Sequence, residues 1–320
     1  MNLGKLVKKF LDSTYNRLCR KPWNERFSTK SQKTVTREHV IWAYRLLLDR
    51  EPESESAILS HSIWDTTQEL REHFLSSSEF QHRNPHCSIT VTASDGLPVP
   101  PGDLIFLVAG ASEVSWFLKS GFLAAQSVNN VLERNGVDIG NFENILDFGC
   151  GCGRVIRHWK SLGAGKLFGT DYNSELINWC QQNLDFAQFT VNNLSPPLSY
   201  NDTTFDFIYA FSVFTHLPEE LQFSWMNELT RVLRPGGFLL ISTHGEHYLP
   251  ELAPDEQDQF QRGQLVIRSE ELAGTNVCIA YHPPEYVRDK LAKDFTIADF
   301  IPEGAKGNPY QDIFLLKKET

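Results

Sequence analysis

No stretch of this chain comes near the ~18 consecutive apolar residues that a membrane-spanning helix requires. The six cysteines, at positions 19, 87, 150, 152, 180 and 278, lack the spacing of a disulfide framework, which excludes a small stapled scaffold. One residue separates Cys150 from Cys152, whereas zinc ribbons and fingers use at least two and need partner ligands. Small side chains between crowded glycines account for that pair, and no metal is expected. Positive charge is also in short supply: 30 Lys and Arg stand against 40 Asp and Glu, a net charge of -10. Phosphate binding is driven by clustered Lys and Arg, so general nucleic-acid affinity is not expected. Charges interrupt every candidate apolar core near the start, so no secretory signal is expected. A reduced, cytoplasmic setting fits these absences best.

The chain does have the bulk of an enzyme. Its 320 residues, 41% hydrophobic and 22% charged, suffice for one large α/β domain plus a smaller one. Charge is unevenly spread: residues 1–37 hold ten Lys or Arg against Asp12 and Glu25, a balance of +8, and the remainder carries -18. Within 1–34, Leu3, Leu6, Val7, Phe10, Leu11 and Leu18 recur at helical spacing with Lys5, Lys8, Lys9 and Arg17 between them. Such a basic amphipathic segment suits peripheral contact with the anionic inner face of a membrane, or docking on its own protein.

The densest signal is I-L-D-F-G-C-G-C-G at 145–153, followed by L-F-G-T-D ending at Asp171. A short apolar run breaks into Gly149, Gly151 and Gly153, and Val155, Ile156, Trp159 and Leu162 then recur at helical spacing. A strand, a glycine loop and a helix in that order form a nucleotide-cradling turn, and an acid ending the next strand can accept from ribose hydroxyls. The dinucleotide fingerprint G-x-G-x-x-G needs glycine at 154 or 156, which are Arg154 and Ile156. A nicotinamide cofactor is thereby disfavoured, and Asp147 would repel a pyrophosphate. The spacing D-x-G-x-G-x-G resembles the first motif of the class I S-adenosylmethionine-dependent methyltransferases, whose ligand is a phosphate-free sulfonium.

The resemblance spans about 137–317. It includes F-D-F-I-Y-A-F-S-V-F-T-H-L after residue 204 and L-T-R-V-L-R-P-G-G-F-L-L-I-S-T-H-G about ninety residues beyond the glycine loop. It implies a Rossmann-like doubly wound α/β fold: a seven-stranded, mostly parallel sheet, last strand antiparallel, with an N-terminal helical domain. Strand-like runs lie at 144–148, 167–171, 188–191, 206–211, 237–242, 295–301 and 312–317, most of them separated by helical stretches. It also implies S-adenosyl-L-methionine as cofactor, held by Asp147, Gly149, Gly151, Gly153, Asp171, Asn193, Phe211 and Ser212. Two roles suit Asp171, ribose binding or a helix N-cap that Asn173 or Ser174 fills equally well. Asn192 and Asn193 suit an adenine edge or an ordinary turn. Trp116 and Phe117 suit a cofactor cap or plain core.

Methyl transfer is an in-line displacement at a carbon on a sulfonium, in which proximity supplies much of the acceleration. A base is needed only where the acceptor must lose a proton; His216, His244 and His282 are the candidates. An insert at about 246–285 is expected beside the acceptor, and its Glu251, Asp255, Glu256 and Asp258 disfavour a phosphate-rich one or are solvated loop charge.

Residues 35–84 read as a compact helical unit. Y-R-L-L-L-D-R-E-P and F-L-S-S-S-E-F resemble a small helical domain of unknown function found in bacteria beside glycan-assembling enzymes, implying an accessory role. Residues 85–136 read as a loop-rich linker to about 110 and then a cofactor-capping helix over 113–135, and 137–320 as the methyltransferase domain. The reading is therefore methyl transfer from S-adenosylmethionine to a small-molecule or glycan acceptor. The competing readings are a catalytically silent adenosyl-binding module and a fold relative using another adenosyl thioether.

Overall fold

The computed structural model describes residues 35–83, 92–162, 166–308 and 310–319. The basic segment 1–34, Cys19 and Cys87 lie outside them. The chain divides into compact units at 1–115 and 116–320.

In the first unit, helices Arg37–Leu48, Glu55–His61 and Thr67–Ser76 bury Val40, Tyr44, Leu48, Ile58, Leu70 and Phe74 together. Two capping boxes start these helices. The Thr36 side chain accepts from the His39 amide, and the Thr66 side chain accepts from the Glu69 amide. Asp49, in a left-handed conformation (φ +48°), ends the first helix just before Arg50-Glu51-Pro52. The expected loop to residue 110 contains a further helix, Gly102–Ala109. Its Pro-Pro-Gly start resembles a turn in sequence, but proline tolerates the position before a helix, where its missing N–H is not needed. Gly110 at φ +67° closes it. No single helix among the described residues is long and apolar enough to cross a membrane.

The second unit is built on one sheet of nine strands: β1 Asn144–Phe148, β2 Lys166–Asp171, β3 Gln188–Val191, β4 Phe205–Ala210, β5 Leu233–His244, β6 Val266–Arg268, β7 Ile279–Tyr281, β8 Thr296–Ala305 and β9 Gln311–Lys317. Strands β3, β2, β1, β4 and β5 run parallel in that order, which requires crossovers between them. β9 lies antiparallel between β5 and β8. The seven expected strands are all present. The two additional ones, β6 and β7, form an antiparallel hairpin from the insert, joined to β5 only at His244 and Tyr281.

Successive residues of β1 face opposite sides of the sheet. Leu146 and Phe148 join the core under helix Glu219–Val232, where Phe148 meets Trp225 at 4.6 Å between ring centres. Asp147 therefore faces the other side, with Tyr209 of β4 beside it in register. Two local readings are corrected. The helical spacing after Gly153 yields only a 3₁₀ turn, Ile156–Trp159. Trp159 there donates from Nε1 to the Tyr209 hydroxyl at 3.1 Å, which commits that face to the sheet. Pro235-Gly236-Gly237, which reads in the sequence as the turn leading into a strand at 237–242, is an irregularity inside β5 and not a turn ahead of it: pairing with β4 shifts between Phe205 and Phe207, while Gly236 and Gly237 exchange hydrogen bonds with Lys318.

Candidate active site

The glycine loop hangs from the second strand. The amides of Gly149 and Cys150 both donate to the Thr170 carbonyl, at 2.8 and 3.0 Å. The Gly151 amide donates to Asp171 Oδ2 at 3.0 Å and the Asn173 amide to Oδ1 at 2.9 Å. The N-cap of helix Ser174–Asn183 is Asn173, whose side chain accepts from Glu175, so capping does not occupy Asp171. An ionised carboxylate has about four acceptor positions, so these amides leave Asp171 acceptor capacity to spare. Burial pushes its pKa up, and the amides of Asn173, Gly151 and Tyr172 pull it back. Gly149 (φ +77°) and Gly153 (φ +78°) are demanded by space as well as conformation. A Cβ on the first would lie 2.4 Å from Val213 Cγ2, and on the second 2.6 Å from Leu184 Cδ1.

Asp147 lies beneath the loop, 3% exposed, in β1 itself. The Tyr209 hydroxyl and the Ile156 amide favour its ionised form, and Oδ2 has no hydrogen-bond partner among the described residues. Burial raises its carboxyl to a pKa of about 7, opposed by Tyr209 and by the charge of Arg154. Arg154 is 6% exposed; Nη2 donates to Asn308 Oδ1 at 2.7 Å, the guanidinium lies 5.6 Å from the Trp116 ring centre, and Nη1 has no hydrogen-bond partner among the described residues. Phe117 is fully buried, against Arg157. In the sequence Arg154 stands out only as the residue that breaks the dinucleotide spacing. A buried carboxylate with an oxygen to spare fits a phosphate-free ligand that brings positive charge, as S-adenosylmethionine does.

Two further strand ends complete the rim. Asn192 is occupied: its side chain accepts from Thr170 Oγ1 at 2.7 Å and donates to the Asn193 carbonyl. The Asn193 side chain is exposed and has no hydrogen-bond partner among the described residues. After β4, Phe211 is buried and Ser212 takes φ +61°, unusual for a residue with a side chain. A polar network holds it there. The Ser212 amide donates to Ser242 Oγ (2.7 Å), Ser242 donates to Gln311 Oε1 (2.8 Å), and Gln311 Nε2 donates to Ser212 Oγ (2.9 Å).

The three histidines have different surroundings. His216 is part-exposed, and its Nδ1 donates to the Cys278 carbonyl at 2.8 Å, which fixes the proton on Nδ1. Its Nε2 is the bare nitrogen and has no partner among the described residues; burial lowers its pKa. The His244 ring lies 6.3 Å from His216, with Nδ1 on the Ala280 carbonyl (3.2 Å) and Nε2 facing Gln311 Nε2 (3.3 Å). Burial and the two neighbouring histidines hold its pKa well below the ordinary range. His282 is fully buried with Nε2 on Gln222 Oε1 at 3.0 Å, and its pKa falls to about 3 through burial. The structure brings His216 and His244 together and keeps His282 in the core.

The insert covers these strand ends. The Gly274 amide donates to the His216 carbonyl at 2.8 Å, and the Tyr172 hydroxyl donates to the Gly274 carbonyl at 2.9 Å. Among its acids, Glu256 pairs with Arg268 and Asp258 lies 3.9 Å from Arg262. A cavity of about 710 Å³ beside the insert is lined by Leu249, Phe260, Arg262, Tyr286 and Lys290 among others, none of them from the glycine loop or the histidine pair.

Residues 146–241 match a family model described as a methyltransferase domain. A sterol 24-C-methyltransferase of Schizosaccharomyces pombe is 28% identical over 202 residues, covering 57% of this chain and 51% of its own length. A tRNA N(3)-methylcytidine methyltransferase of the same yeast is 25% identical over 268 residues, 79% of this chain and 81% of its own. A SAM-dependent methyltransferase from Methanosarcina mazei, of known structure, is 25% identical, covers 55% of this chain and 92% of its own, and has a TM-score of 0.43. The chain spans about half the length of that sterol enzyme, and 36% of a ubiquinone biosynthesis O-methyltransferase from Dictyostelium discoideum. Residues 146–241 form a methyltransferase domain, and the α/β sheet around them is the Rossmann-like methyltransferase fold. S-adenosylmethionine is the cofactor of such domains.

Proposed function

We propose that this protein transfers a methyl group from S-adenosylmethionine to a hydroxyl or amine of a small molecule or glycan. The observation that carries the reading is the bare Nε2 of His216 on the rim that also holds the glycine loop and Asp171. Bound at that rim, the cofactor supplies an electrophilic methyl on a good leaving group. The protein's residues then have three tasks. Asp171 and the glycine loop orient the donor. Segment 269–278, tied to Tyr172 and His216, excludes water. His216 takes a proton from the acceptor at Nε2, and its Nδ1–H bond to Cys278 holds the ring in that tautomer.

Support for a small acceptor is the charge of -18 carried beyond residue 37, which is poor footing for a polyphosphate. The similarity to the helical domain found beside glycan-assembling enzymes supports a glycan in particular, by association. A second reading, an RNA acceptor, is favoured by the breadth of the match to the tRNA methyltransferase. Incubation with methyl-labelled S-adenosylmethionine and a fractionated cell extract separates the two. Label in the small-molecule and glycan fractions upholds the first reading, label in RNA upholds the second, and failure to bind S-adenosylhomocysteine ends both. The cytoplasmic setting, with residues 1–34 resting on an anionic membrane face, belongs to the same proposal. Sedimentation with phosphatidylglycerol vesicles tests it, and binding should be lost on deleting 1–34 and weakened by salt.

A further inference from the structure

Gln311 stands at the start of β9, opposite His244 of β5, and is 4% exposed. Its side chain touches both the turn after β4 and the ring of His244. The direction of each hydrogen bond in this cluster is fixed. A carbonyl can only accept, so the proton of His244 sits on Nδ1, against Ala280 at 3.2 Å, and Nε2 is an acceptor. The Gln311 atom 3.3 Å from it must therefore be the amide nitrogen, which gives its other hydrogen to Ser212 Oγ at 2.9 Å. The Gln311 carbonyl then receives the hydroxyl of the fully buried Ser242, whose own lone pair receives the Ser212 amide at 2.7 Å. Flipping the Gln311 amide would set its carbonyl against the lone pair of His244, so the network has one arrangement.

Two parts of the rim meet at this amide. On one side Ser212 holds φ +61°, a conformation that a residue with a side chain keeps only where its surroundings impose it. Beside it, Val213 packs so close to Gly149 that a Cβ on the glycine would lie 2.4 Å from Cγ2, so this turn rests on the glycine loop. On the other side, the Gln311 hydrogen occupies Nε2 of His244, whose ring lies 6.3 Å from that of His216. A buried amide is costly unless both its ends are satisfied, and an apolar side chain of the same length would fill the space without that cost. What the apolar chain could not do is hold groups from two different elements in one geometry. Resting on the donor and base assignments above, we propose that Gln311 is a positioning residue for methyl transfer. Its side-chain amide joins the donor-side turn at Ser212 to the acceptor-side ring of His244, so a bound donor fixes the histidine that packs beside the base. With Nε2 of His244 occupied, proton acceptance is left to His216.

The test reads the imidazole nitrogens of the full chain, labelled with ¹⁵N-histidine, by nuclear magnetic resonance, with saturating S-adenosylhomocysteine as the probe. The His244 signals are those lost in His244→Gln. In the unaltered protein His244 should show a protonated Nδ1 and a hydrogen-bonded Nε2, and the ligand should shift the Nε2 signal. Gln311→Met should move that signal to the position of a bare imine nitrogen and abolish its response to the ligand. Ser212→Ala, which cuts the link on the far side of the amide, should leave the Nε2 signal of the free protein in place and abolish the ligand-induced shift alone. A glutamine that only stabilised the sheet would lower the melting temperature in the first variant and leave the shift intact in the second. That result would overturn the proposal, as would the absence of any shift in the unaltered protein with ligand bound. If Gln311→Met does not fold, Ser212→Ala decides in the same way. Failure of the unaltered protein to bind S-adenosylhomocysteine would end the donor-site reading and this proposal with it, whereas binding without a shift ends the positioning role alone.

Discussion

His216 presents an imidazole whose tautomer is set by a carbonyl and whose second nitrogen is bare. Replacing it by Gln should lower kcat by roughly 10²- to 10⁴-fold, the usual worth of a positioned base, with the S-adenosylhomocysteine Kd unchanged. An equal change in that Kd would mean that the ring acts through its tie to segment 269–278. Because burial lowers the pKa of His216 from its ordinary 6.5, the neutral, proton-accepting form already dominates at pH 7. The rate should therefore fall only on the acid side, below about pH 6.5. Asp147 behaves in the opposite sense. Its carboxyl is raised to about 7, so near neutrality it is partly protonated. A cationic ligand group favours the ionised form, so donor binding should release a proton and tighten as pH rises through 7. Titrations in buffers of differing ionisation enthalpy read that proton directly; binding heats independent of the buffer would remove Asp147 from the cationic contact.

At the scale of elements, the glycine loop is rigid because its amides are consumed by β2. Gly149→Ala should cost about 1–3 kcal/mol of stability and abolish donor binding, since a left-handed conformation and a 2.4 Å approach to Val213 are imposed together. Thermal unfolding and calorimetry measure the two effects separately. The loop and the parallel strands were legible in the sequence for a simple reason: buried strands read as short apolar runs, and glycine has few substitutes at positive φ. Asp171 was legible because it ends such a run. The 3₁₀ turn after Gly153 was not, since Ile156 and Trp159 keep helical spacing whether or not the helix continues. The three-residue strands β6 and β7 are too short for any alternation to show, and their pairing depends on contacts with β5 that lie far away in sequence. Arg154, Tyr209 and Gln311 escaped for another reason. What matters in each is a hydrogen bond to a distant residue, and spacing carries no trace of it.

For the whole molecule, the division at residue 115 gives two units with separate cores, and they should respond differently to acid. His73 in the first unit sits among His61, Trp64 and Phe74, and burial with the neighbouring His61 lowers its pKa to about 4. Unfolded, it would take a proton near 6.5, so folding of that unit loses stability as pH falls from 6.5 towards 4, by about 3 kcal/mol at most. Hydrogen exchange across 37–83 should quicken over that interval, and His73→Phe should flatten the response. Cys150, Cys152 and Cys180 are 4%, 0% and 0% exposed, and the thiols of Cys150 and Cys180 reach the Gly151 carbonyl at 3.6 and 3.5 Å. An alkylating reagent can meet those sulfurs only while the loop is open. The motif therefore carries its own clock: the rate at which its thiols are capped counts the loop's openings, and a bound donor would slow the count without any probe having to be introduced.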